Sequence, residues 1–70
     1  MERILITLDR HDIAYVRFIF EGYDGLGIIS TVDRTLAQAI VAYPAGNLTA
    51  VQGLLRALQN EGVIKEVHAA

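Results

Sequence analysis

Arg3 to Val32 reads RILITLDRHDIAYVRFIFEGYDGLGIISTV, and this stretch decides the fold. It opens with period-two alternation. Over a strand at Arg3–Leu8, Ile4, Ile6 and Leu8 fall on one side and Leu5 and Thr7 on the other. The period then changes. Ile13, Val16 and Phe20, joined by Ile19, recur at helical spacing and predict a helix to about Glu21 with that stripe buried. Asp9 is expected to cap this helix, with Asp12 adding a carboxylate in the first turn, where the helix dipole favours it. Gly22 is expected to end it in the left-handed conformation, followed by a turn at Tyr23-Asp24-Gly25. A second strand at Gly27–Val32 carries Ile28, Ile29 and Val32.

The remainder repeats the theme. Asp33-Arg34-Thr35 reads as a short hairpin connection, and Leu36–Tyr43 as a third strand rich in alanine (Ala37, Ala39, Ala42). Alanine is a poor strand former, but small side chains let helices approach a sheet closely. Pro44-Ala45-Gly46 breaks the pattern, and Asn47 is expected to cap a helix striped with Leu48, Val51, Leu54, Leu55 and Leu58. Gly53 lies inside that helix, where it costs about 1 kcal/mol relative to Ala, so close packing is expected around it. Gly62 ends the helix and Val63–His68 is the last strand.

The order strand, helix, strand, strand, helix, strand is the split βαβ arrangement. It predicts an α+β, ferredoxin-like βαββαβ sandwich as a single domain over residues 1–70. Short helix-to-strand connections put both helices on one face. Right-handed crossovers then give a four-stranded antiparallel sheet of order 4-1-3-2. The other face has no helix over it, yet in either register it is expected to collect several of Leu5, Ile29, Leu36, Ile40 and Thr31, where a solvated sheet shows polar residues.

Composition sharpens that point. A chain of 70 residues buries only about 60% of the surface its unfolded form exposes, so a staple is expected. There is no cysteine, which removes disulfides, zinc knuckles, iron–sulfur clusters and thiol nucleophiles. His11 and His68 lack metal-ligand spacing, so neither a metal nor another cofactor is expected. Oligomerisation remains, through Leu5, Ile29, Leu36 and Ile40 in a homodimer or larger assembly. The net charge of −2, with acids and bases interspersed, argues against nucleic acid and anionic membranes as partners. No apolar run approaches the ~20 residues of a membrane span, and Met1-Glu2-Arg3 has no signal-peptide layout, so a cytoplasmic protein is expected.

The segment Leu8-Asp9-Arg10-His11-Asp12-Ile13 resembles the opening of many ACT domains, small amino-acid-sensing regulatory modules on this same frame. There an apolar strand runs into Asp-Arg-Pro-Gly and then a helix. Asp9 and Arg10 match, while His11 and Asp12 stand where that family has Pro and Gly. The whole chain also resembles a family of short, uncharacterised, stand-alone bacterial proteins through Glu21-Gly22-Tyr23-Asp24-Gly25. The ACT resemblance implies an amino-acid-like ligand at a subunit interface near Asp9, Arg10, His11 and Asp12. Asp12 puts a negative charge where such a ligand's carboxylate would lie.

Two segments merit weighing as sites. Asp9, Arg10, His11 and Asp12 form the densest polar spot, readable as an anion-binding helix start or as a plain capped helix with solvated charges. His11 and Asp12 have no nucleophile or oxyanion donor near them in sequence to complete an acid–base site. The glycines at 22, 25 and 27 follow a helix and open a strand, the reverse of a phosphate-cradling loop. Tyr23 and Asp24 there are a turn that also offers an exposed recognition tip. Base-stacking aromatics, a glycine-shaped phosphate loop and paired cysteines, which serve other proteins of this fold, are missing. The expectation is a non-enzymatic regulatory or small-molecule-sensing homo-oligomer, with a protein–protein adaptor as the alternative.

Overall fold

The computed structural model describes residues 1–69. Its elements are β1 (Glu2–Leu8), α1 (Ile13–Glu21), β2 (Ile28–Asp33), β3 (Gln38–Tyr43), α2 (Leu48–Asn60) and β4 (Ile64–Ala69), with single 3-10 turns at Arg10–Asp12 and Ala45–Asn47. The sheet runs β2-β3-β1-β4 with every neighbouring pair antiparallel, the ferredoxin-like order expected. Both helices cover one face. Ile4, Ile6 and Leu8 of β1 meet Val16 and Phe20 of α1 and Val51, Leu55 and Leu58 of α2 in one core. The alternation in β1 and the two helical stripes were sufficient to choose these residues, because each is a local property of period 2 or 3.6.

Cross-strand partners share a face, so the register fixes what the helices leave uncovered. One row is Arg3, Ala42 and Ile28; the next is His68, Leu5, Ile40 and Ser30; the third is Glu66, Thr7, Gln38 and Asp33. Leu5 and Ile40 therefore sit at the centre of the open face, as expected. Ile29 does not. It pairs with Val41 on the helix side and is 7% exposed. Thr31 pairs with Ala39 on that same side. Ile28 and Ile29 are both apolar, so alternation could not choose between them, and a one-residue shift moves the whole strand to the other face.

Leu36 also leaves the open face, because β3 begins later than expected. The Asp33 carboxylate accepts a hydrogen bond from the Leu36 amide at 2.9 Å, and the Ala37 amide donates to the Arg34 carbonyl at 3.2 Å. Together these close a turn that consumes Arg34–Ala37 and leaves Leu36 60% exposed. Ala37 takes a φ of +53° there while its carbonyl accepts from the Leu8 amide at 3.0 Å.

The helices depart from expectation at both starts, at the end of α1 and inside α2. Neither Asp9, Asp12 nor Asn47 makes a side-chain cap; a 3-10 turn precedes each helix instead. Gly22 stays right-handed at φ −72°, continuing the turn by donating to the Phe18 and Ile19 carbonyls, and the left-handed residue is Gly25 at φ +71°. Leu48 begins α2 at its exposed rim rather than in the core. Gly53 is exposed, and a Cβ built there would meet nothing within 4 Å, so close packing is not its reason. Gly62 behaves as expected: at φ +81° it donates to Gln59, and Val63 donates to Leu58, the paired bonds of a Schellman end.

Candidate functional site

The site begins where β1 runs out. Asp9 is extended, and its carbonyl accepts the Asp12 amide at 2.9 Å, which winds the 3-10 turn and aims Arg10 and His11 outward. Arg17 leaves the face of α1 that lies against β2, and its guanidinium donates to the Thr31 hydroxyl at 3.4 Å. Arg34 comes from the β2–β3 turn. These four side chains and Thr31 rim an open concavity of about 420 Å³, and Ile13 and Ala14 form its apolar wall. That volume lies within the range of small-molecule sites.

Charge distinguishes this place. The chain has 6 lysines and arginines against 8 carboxylates, yet three of its arginines converge here. Among the described residues no carboxylate lies within 4.0 Å of those guanidinium groups. The acids adjacent in sequence have partners other than these guanidinium groups. Asp9 accepts from the Lys65 ammonium at 2.9 Å, Asp12 faces His11 at 4.0 Å, and Asp33 holds the Leu36 amide. The hydrogen bond from Lys65, then its charge, with a smaller contribution from His11, holds the Asp9 carboxyl below its ordinary value of 3.8.

Of the four residues expected from sequence, Arg10 and His11 reach the concavity, while Asp9 turns to β4 and Asp12 stays beside His11. Arg17, Thr31 and Arg34 carry no local mark of a site, because the last two lie 18 and 21 residues beyond the helix start at Ile13. The one legible hint was helical spacing, which sets Ala14 and Arg17 on a shared face. Tyr23 and Asp24 are exposed on the loop after α1 and do not line this concavity. Asp9, His11 and Asp12 offer ligand atoms within 4.8 Å of one another, the one such group among the described residues, but Lys65 already holds Asp9. A second concavity, of about 470 Å³, lies between α2 and the ends of β1 and β4. Glu2 stands there with Arg3 and Arg56, so its charge is mixed.

No helix among the described residues is long and apolar enough to cross a membrane. The model of one protein family, described as a domain of unknown function (DUF4911), matches residues 6–61, and the chain belongs to that family. No curated protein and no solved structure matches the chain.

Proposed function

We propose that this protein is a non-enzymatic regulatory module that senses a small molecule and works as a homo-oligomer, ACT-like in frame and in placing ligand-binding groups at the start of the first helix. The observation that carries the reading is the concavity rimmed by Arg10, His11, Arg17 and Arg34. Guanidinium groups hold charge without exchanging protons at ordinary pH, so they suit the binding of an anion better than general acid–base chemistry. The Thr31 hydroxyl is occupied by Arg17, and His11 lies on an open surface with no nucleophile beside it.

The oligomer rests on the open sheet face. Its middle row puts Leu5 and Ile40 in the centre, while Arg3 marks one end and Glu66 with Asp33 the other. A two-fold axis across the strands lays the cationic end of one copy over the carboxylate end of the second, so the face is complementary to itself. Light scattering at low micromolar concentration should return a dimer or larger. A mass of 7.7 kDa would refute the assembly. A thermal-shift screen of amino acids, organic anions, nucleotides and divalent cations tests the ligand, since 100-fold saturation adds about 2.7 kcal/mol.

A second reading, an adaptor without a small ligand, has its own support. Tyr15, Phe18 and Tyr23 lie exposed on α1 and the loop after it, and Phe18 is 70% accessible. No shift with any compound in the screen would favour that reading.

A further inference from the structure

We infer that the concavity takes a small organic phosphate, a phosphate monoester whose dianionic group bridges Arg10, Arg17 and Arg34. The inference rests on that concavity being a ligand site, and it names the ligand's chemical class. Three guanidinium groups from three separate elements, the 3-10 turn, α1 and the β2–β3 turn, meet with no carboxylate among the described residues within 4.0 Å of them. Bringing like charges together raises their energy, and of the nearby acids Asp9 is paired with Lys65, Asp33 holds the Leu36 amide, and Asp12 lies beside His11 rather than against a guanidinium. What lowers that energy is an anion of high charge density with oxygens enough for several forks. A single carboxylate offers two oxygens and one charge, which satisfies one guanidinium. A phosphate monoester carries between one and a half and two negative charges near neutral pH and three acceptor oxygens, matching the three donors.

Size and polarity specify the remainder of the ligand. A space of about 420 Å³ exceeds a bare phosphate, and Ile13 and Ala14 give the ester's organic part an apolar surface. A long polyanion fits less well, because the chain as a whole carries a net charge of −2 and repels it beyond the pocket.

Amide and arginine side-chain NMR of the labelled protein tests this, with inorganic phosphate and a sugar phosphate titrated against chloride, glycine and a short single-stranded oligonucleotide at matched ionic strength. The expected result is saturable shifts at Arg10, His11, Arg17, Thr31 and Arg34 with both phosphates, tighter for the sugar phosphate. Arg17→Gln and Arg34→Gln should each weaken binding by about tenfold or more, while Arg56→Gln leaves it unchanged. All three changes are on the surface, and the dispersion of the same spectra reports whether each variant is folded. Phosphate shifts that stay linear like those of chloride, or that saturate equally in the Arg17 and Arg34 variants, overturn the inference. Saturation by glycine, or by a short single-stranded oligonucleotide, without saturation by the small phosphates overturns it while leaving the pocket a binding site. No saturation by any small molecule overturns the sensing function as well.

Discussion

The Lys65 ammonium lies 2.9 Å from the Asp9 carboxylate, joining the outer strand β4 to the loop that follows β1. Lys65 is able to reach because the β1–β4 register slips between Thr7 and Leu8, leaving it without a cross-strand partner. The contact ties Asp9 to β4, and among the described residues no carboxylate lies within 4.0 Å of the Arg10 guanidinium.

This pair titrates with a definite sign. The folded Asp9 pKa is lowered, chiefly by the hydrogen bond from Lys65, so its contribution to stability is present above the ordinary value of 3.8 and is lost as pH falls below it. Carboxyl NMR should place Asp9 below that value in the native protein, and Lys65→Gln should return it upward. An unmoved Asp9 titration in the variant would show that the contact is not populated in solution.

Gly53 is exposed inside α2 with open space where its Cβ would stand. Gly53→Ala should therefore stabilise the protein by about 0.5–1 kcal/mol, raising Tm by several degrees in a domain this small. Gly62→Ala, at φ +81°, should lower it by a similar amount. Chemical denaturation of both variants measures the difference in sign.

The Asn47 amide donates to the Gly25 carbonyl at 3.0 Å and to the Leu26 carbonyl at 3.1 Å, latching the loop after α1 to the start of α2. Asn47→Ala should cost about 1 kcal/mol. Asn47→Asp separates latch from cap. Aspartate is a good helix cap but cannot donate, and its oxygens would face two carbonyls, so it should destabilise at least as much as alanine. A stable Asp variant would mean that capping prevails in solution.

Ile29 and Ile40 are near neighbours on adjacent strands but occupy opposite faces of the sheet. Ile29→Glu places a charge in the core and should abolish the cooperative fold. Ile40→Glu and Leu5→Glu place it on the open face and should yield folded monomers, read by sedimentation velocity together with circular dichroism. Folded variants that keep the native oligomer's mass would move the interface elsewhere.

The element order, the sheet order and most of the buried stripe of each helix follow from the sequence, Leu48 being the exception. Period-two alternation in β1, helical spacing in α1 and α2, short connections and right-handed crossovers are local or topological constraints that need no knowledge of partners. Tertiary structure alone decided which face Ile29 takes, because strand orientation follows from pairing with β3 and adjacent isoleucines erase the local signal. It alone showed Gly53 open to solvent and Asn47 as a latch, since the atoms around them come from distant parts of the chain. The candidate site divides in the same way. Arg10 and His11 were legible as the polar start of a helix, whereas Arg17 and Arg34 join them only once α1 lies on β2 and the hairpin turn closes beside it, a convergence set by long-range packing that no spacing along the chain encodes.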